Sequence, residues 1–307
     1  MNPQAMSDDT LDTPAPPSVM RATRPFYWSV RREFWESRSI TIAPLTAAGV
    51  VLFGFLLSIF HLARNMVATL ALDPTQQEAS LEKPYNVAAI AIILTAFITA
   101  IFYCLGALHN ERRDRSILFW KSLPVSDLTT VLAKTSIPLL AIPVLVFVLL
   151  PALQLIMLVI STLILLANHV PAAPLLTQVT WLTNYVVLLY GVATFTLWYA
   201  PVYGWLLLVS GWARRAAFLW AVLPPLALCL IERMAFGTSR LFSLLGNRIG
   251  GSFALAFNTD VQTRGTIGLD QLDAIKFLTA PGLWLGLLFA AVCLAAAVRL
   301  RNYRGPL

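Results

Sequence analysis

The stretch TSIPLLAIPVLVFVLLPALQLIMLVISTLILLA, Thr135 to Ala167, contains no acidic or basic side chain, and the uncharged run continues to Ala213, 79 residues in all. A helix rising about 1.5 Å per residue crosses a hydrocarbon core of about 30 Å in about 20 residues. The run therefore holds two long spans or three short ones. NHVPAAP, Asn168 to Pro174, is the best break, because its polar start and two prolines mark a turn. Two spans, about 136–167 and 177–211, are preferred.

The neighbouring sequence repeats the pattern. Ser39 to Phe60 and Pro84 to Leu108 carry no charge, which predicts spans over about 39–62 and 85–108. Ala216 to Ile231 is short and contains Pro224–Pro225, so a span over 215–232 is expected to be bent or partly re-entrant. A last span covers 281–299. Of 307 residues, 58% are hydrophobic and 12% charged, and mean hydropathy is +0.73. Soluble domains carry about 25% charged residues. The expectation is an all-α membrane protein with six transmembrane helices in one domain over 39–300. The net charge of +7 needs no nucleic-acid partner, since cytoplasmic loops collect Lys and Arg.

Counting Lys and Arg does not orient the chain, because six and seven spans both place 15 on the inner side and seven outside. Their density does. Arg214–Arg215 and Arg299, Arg301, Arg304 are packed beside span ends, whereas the five bases from Arg233 to Lys276 are sparse and mixed with Asp260, Asp270 and Asp273. Six spans with both termini cytoplasmic follow, with 233–280 as the last outer loop and 301–307 as a short inner tail.

Residues 1–22 lack the basic start and apolar core of a signal peptide and read as a disordered cytoplasmic tail. TRPFYWSVRREFWESR, Thr23 to Arg38, reads as an amphipathic helix on the inner membrane surface, with Tyr27, Val30 and Phe34 on one face and Arg31, Arg32 and Glu33 on others. Cys104, Cys229 and Cys293 lie in apolar runs and read as packing residues. His61, His109 and His169 form no ligand cluster, so no metal site is expected.

HNERRDRSILFWKSLPVSD, His109 to Asp127, breaks the apolar texture: six of the eleven residues from Glu111 to Lys121 are charged. Glu111 and Arg115 are four apart, which supports a short helix. Pro124 interrupts it, and Ser126 or Asp127 can cap the next helix. Positive-inside topology accounts for Arg112, Arg113 and Arg115 but not for Phe119 and Trp120. Large aromatics beside charges suit a docking knob; lying back on the membrane is the other option.

NERRDRSILFWKSLPVSD followed by VLAK resembles the membrane subunits of ABC-2 type ATP-binding-cassette transporters. FYWSVRREFWESR is similar to that family's N-terminal interfacial elbow helix, 233–280 to its last outer loop with membrane-dipping helices, and YAPVYGWLLLVSGWARR, Tyr199 to Arg215, to segments of such permeases. The order of features over about 25–300 carries the likeness more than any one motif. The resemblance implies a coupling helix in 109–127, seated in a cytoplasmic ATPase subunit through Arg112, Arg113, Asp114, Arg115, Phe119, Trp120 and Lys121. It also implies a second permease copy or homologue as partner, export as the direction, and a bacterial inner membrane as the location.

None of the four lysines follows a glycine, so the chain has no phosphate-binding G-x-x-x-x-G-K-[ST] loop. ATP and Mg are expected in a separate ATPase, and no cofactor or catalytic set in this chain. Uncharged polar residues do fall within the predicted spans. Gln154, Thr183, Asn184 and Thr194 either hydrogen-bond between helices or line a substrate path. Gly282 and Gly286 form a GxxxG that would let helices approach closely. A secondary transporter would need intramembrane ionisable groups, and spans 1 to 4 are read as having no acid. A non-transporting scaffold or membrane-embedded enzyme is the remaining alternative.

Overall fold

The computed structural model describes residues 23–114, 125–177, 181–257 and 269–303. Among these the chain is helical, with no strand and one isolated bridge between Phe257 and Leu272. Helix α1 (Thr23–Glu36) leads into α2 (Ser39–Leu70), α3 (Pro74–Ala107) and the short α4 (His109–Arg113). Helix α5 (Asp127–Ser136) passes through a π-helical turn (Ile137–Ala141) into α6 (Ile142–Ala167). Then come α7 (Ala173–Thr177), α8 (Trp181–Trp212), α9 (Ala217–Phe236), α10 (Arg240–Ala256), a 3-10 turn at Leu269–Gln271, α11 (Ala274–Thr279) and α12 (Pro281–Tyr303).

Six stretches are long and apolar enough to cross a membrane: Ser39–Leu62, Gln76–Arg113, Asp127–Ala167, Trp181–Trp212, Ala217–Phe236 and Pro281–Tyr303. Their outward faces carry side chains that water would not tolerate in such number, among them Val50 (71% exposed), Phe60 (85%) and Leu182 (79%). Lipid is the solvent for that surface. The chain is an integral membrane protein.

Two helices run further than their apolar segments. The polar link expected between Arg64 and Lys83 is mostly helix, broken only between Leu70 and Pro74. Glu82 therefore lies within α3, and Lys134 lies on the helix that enters the third span. A charge ends an apolar run without ending backbone hydrogen bonding, provided the side chain finds a partner. The reading that spans 1 to 4 carry no acid is thus corrected. Helix α9 is likewise continuous through Pro224–Pro225, which neighbouring helices in a bilayer make tolerable.

The tightest packing joins α8 to α12. A Cβ built on Gly204 would stand 3.1 Å from the Ala290 Cα, so a larger residue there would require the facing backbone to yield by a few tenths of an ångström. Gly282 and Gly286 do something else. A Cβ on Gly286 would collide with the Arg248 guanidinium, which stacks 4.3 Å over Trp198 and donates from Nη1 to the Gly282 carbonyl at 3.0 Å. The GxxxG notch receives an arginine from α10, which corrects the expectation of a close helix approach.

Helix α10 folds back along α8 and is held by aromatic donors. Trp198 Nε1 donates to the Arg248 carbonyl at 2.8 Å, Tyr190 Oη to that of Ala256 at 3.0 Å, and Tyr199 Oη to that of Ile249. Glu232, at the end of α9, caps α10 by accepting from the backbone N–H groups of Arg240 and Leu241 at 2.9 and 2.8 Å.

Candidate functional site

Two features stand out: a buried charged cluster at one end of the bundle and a cavity that begins near the other.

The cluster draws on α1, α4, α5 and α12. Lys134 Nζ donates to both carboxylate oxygens of Glu33, at 2.9 and 3.0 Å, and stands 3.1 Å from Glu111 Oε1. Arg301 donates from Nη1 to Glu111 Oε2 and from Nε to Asp127 Oδ1, both at 2.8 Å. Arg32 bridges Glu33 at 2.8 Å and Glu111 at 3.1 Å, and Tyr103 Oη donates to Glu33 Oε2 at 2.9 Å. The side chains of Lys134, Glu33, Glu111 and Arg301 are at most 4% exposed. Three carboxylates, Glu33, Glu111 and Asp127, meet three cations, and a fourth, the more exposed Glu36, stands 3.5 Å from Arg32 at the edge. Burial alone would raise the Glu33 carboxyl; Lys134, then Arg32 and Tyr103, outweigh it and hold the group below its ordinary 4.5.

Local sequence explains how each group arrives. On α1 the inward face is Val30, Glu33 and Phe34, while Trp28, Arg31 and Trp35 face outward, with the Arg31 guanidinium 5.2 and 5.0 Å from the two rings. Tyr27, placed by its spacing with Val30 and Phe34, is 59% exposed, because the buried stripe is rotated toward Glu33. Ser126 is the cap of α5, accepting from Thr129 N at 3.1 Å. That leaves Asp127 for Arg301, with Lys134 seven residues further on the same face.

Of the residues assigned to coupling, Arg112 is buried at 6% exposure and donates from Nη1 to the Gly211 carbonyl at 2.8 Å. It braces α4 against α8, as does Ser210, whose Oγ accepts from Leu108 N and His109 N. Arg113 and Asp114 are exposed and lie 3.5 Å apart. Arg115, Phe119, Trp120 and Lys121 lie outside the described residues. Arg113 also joins His109, Arg214 and Arg215 around an open basic recess.

The cavity, about 570 Å³, is bounded by α3, the π-helical turn, α6, α8 and the end of α10. Gln154, Asn184 and Thr194 line it; Thr183 does not. The lining residues also bond as structure. Gln154 Nε2 donates across helices to the Tyr85 carbonyl at 3.3 Å, Asn184 Nδ2 donates to Glu82 Oε1 at 3.1 Å, and Thr194 turns back to its own helix at the Tyr190 carbonyl. Glu82, 3% exposed, is the one carboxylate on the lining. Beside it the Tyr85 and Trp181 rings meet edge to face at 4.9 Å. Deeper, Phe97, Phe195 and Tyr199 stack within 5.4 Å of one another.

Sequence reasoning missed Glu33, Lys134, Asp127, Arg301 and Glu82. Their signal is faint: ionisable residues at the margins of apolar helices, in phase with the buried stripe. Among the described residues no group of His, Cys, Asp and Glu is arranged to hold a metal ion, and the three described cysteines are buried and free. No protein family, no curated protein and no solved structure matches the chain.

Proposed function

We propose that this chain is the permease subunit of an ATP-driven transporter of the ABC-2 type. It works as a dimer, with a second copy or a homologue, in a bacterial inner membrane. A separate cytoplasmic ATPase subunit holds ATP and Mg, and export is the direction. Both termini and the charged cluster then lie on the cytoplasmic side, where α1 serves as the elbow and 109–127 as the coupling segment.

The observation that carries this reading is the cluster itself. Glu111 sits at the root of the charged segment and is bonded to α1, α5 and α12 through Arg32, Lys134 and Arg301. A push on that segment is thereby delivered to the N-terminal helix, the helix entering the third span and the last span together. A short charged loop serving only as a topology signal needs no such bracing. The basic recess of His109, Arg113, Arg214 and Arg215 offers an acidic partner a complementary face beside the segment.

The test is crosslinking in intact membranes, then affinity purification of the tagged chain and mass spectrometry. A stoichiometric P-loop ATPase, lost when Phe119 and Trp120 are both changed to alanine while membrane insertion is kept, is the expected result. No ATPase under crosslinking would overturn the reading. Labelling of a Ser239→Cys variant from outside the cell checks the orientation.

Glu82 favours one alternative, a secondary transporter. A buried carboxylate in a membrane cavity is the kind of group such proteins use for ion coupling. Transport that persists without ATP and follows an ion gradient would select that reading.

A further inference from the structure

The cavity has a polarity along its length. From Glu82 to Phe97 on α3 it extends through about 20 Å of helix rise, and the one carboxylate on its lining lies at one end. One end holds the Glu82 carboxylate with the Tyr85 and Trp181 rings. The remainder is mostly aliphatic and aromatic, running past Phe97 and Phe195; of the hydroxyls set among them, those of Thr194 and Thr196 donate back to carbonyls of their own helix.

Glu82 is unlike the other buried carboxylates. Glu33 and Glu111 are each held by cations. Glu82, almost as deeply buried, has the Asn184 amide as its hydrogen-bond partner, and no Lys or Arg pairs with it among the described residues. A buried ionised carboxylate without a counter-charge is costly. A positive charge in the adjoining space would offset that cost.

Two aromatic rings beside that space select the kind of cation. A metal ion would need several oxygen ligands, whereas a diffuse organic cation is attracted to ring faces. The apolar body of the cavity fits the rest of such a molecule, and its volume falls within the range of about 300–1,000 Å³ usual for small-molecule sites.

We infer that the cavity binds an amphipathic organic cation, its positive head at Glu82 beside Tyr85 and Trp181 and its apolar body along Phe97 and Phe195. That the cation is cargo rests on the transporter reading above; its binding needs no ATPase.

The probe pair is tetraphenylphosphonium and tetraphenylborate, which share size and shape and differ in the sign of charge. Each is titrated separately against the full-length chain in lipid nanodiscs, with protein-free nanodiscs subtracted. Saturable binding of the phosphonium, at least tenfold tighter than the borate, is expected. Glu82→Gln should weaken phosphonium binding at least tenfold, and Glu82→Asp, which keeps the charge, should retain most of it. Melting curves of the three proteins establish that each is folded. Equal binding of the two probes, or equal phosphonium affinity in wild type and a folded Glu82→Gln, overturns the assignment. The two readings fail separately. A chain that binds the phosphonium but recruits no ATPase overturns only the permease proposal. A chain that recruits an ATPase and does not distinguish the probes overturns only the cation site.

Discussion

The Lys134 ammonium is clasped by both oxygens of Glu33, at 2.9 and 3.0 Å, across 101 residues of sequence. A pair this deeply buried is weak evidence of net stabilisation, because desolvation offsets its attraction, but removing one partner strands the other charge. Glu33→Gln or Lys134→Met should each cost about 3–5 kcal/mol, read as a large fall in melting temperature in detergent. The double variant should recover part of that loss. Single variants that melt like the wild type would show that the pair is not buried as described.

Acid should loosen the same joint. The Glu33 carboxyl is held below its ordinary 4.5, so the folded state binds this proton less readily than the unfolded state does. Its contribution is complete above about 4.5 and is lost as pH falls through the lower folded value. Melting temperature should therefore drop in that acid window, with a shallower slope in Glu33→Gln. Glu36 acts in the opposite sense. Burial, then the neighbouring Glu33 charge, pushes it up, so the folded state favours its protonated form and its contribution is lost as pH rises above 4.5. A steeper acid slope in Glu33→Gln than in wild type would contradict this assignment.

At the α8–α12 crossing, Gly204→Ala must force the helices apart or shift the Ala290 backbone, at a cost of about 1–3 kcal/mol for overpacking. Thermal stability by size-exclusion chromatography after heating reads this directly. Ala290→Gly in the same chain should restore little, since the closest atoms are the Ala290 Cα and carbonyl oxygen rather than its methyl.

The notch at Gly286 gives a cleaner pairwise test. Gly286→Ala should unseat the Arg248 guanidinium from Trp198, freeing α10, and speed hydrogen exchange across 240–256 while leaving the charged cluster unchanged. In an Arg248→Ala background the obstructing group is already gone, so Gly286→Ala should add almost nothing. Additive effects in the two variants would mean that Arg248 does not occupy the notch.

The turn after Arg215 holds Ala216 at φ 47°, in the left-handed region. Ala216→Gly removes a steric penalty of about 1–2 kcal/mol, less the entropy that glycine adds to the unfolded chain. A melting temperature equal to or slightly above wild type is expected.

The six apolar helices were legible in the sequence because lipid demands long uncharged runs, and that demand is read residue by residue. Of the polar residues singled out within the spans, Gln154, Asn184 and Thr194 stand on the cavity wall and Thr183 does not. What escaped was pairwise. Glu33 on α1 looked like part of a solvated face because its partners Lys134 and Tyr103 come from distant parts of the chain. Glu82 looked like the end of a polar link because the helix continues through it. Gly282 and Gly286 looked like a seam between helices, and the side chain that fills the space at Gly286 comes from α10, while Trp198 of α8 faces Gly282. Periodicity identifies the face of a helix that is buried; only the fold shows what it is buried against.

The π-helical turn at Ile137–Ala141 stands between Lys134, in the charged cluster, and Ile142, on the cavity wall. Such a turn accommodates one extra residue in an α-helix, and one residue is about 100° of rotation. The continuous rod therefore has two independent clock settings, one for each end. Converting the turn to regular α-helix would require one end to rotate out of alignment, so that either the ammonium leaves Glu33 or the wall leaves the cavity. The insertion is the gear tooth that lets a single helix mesh with both.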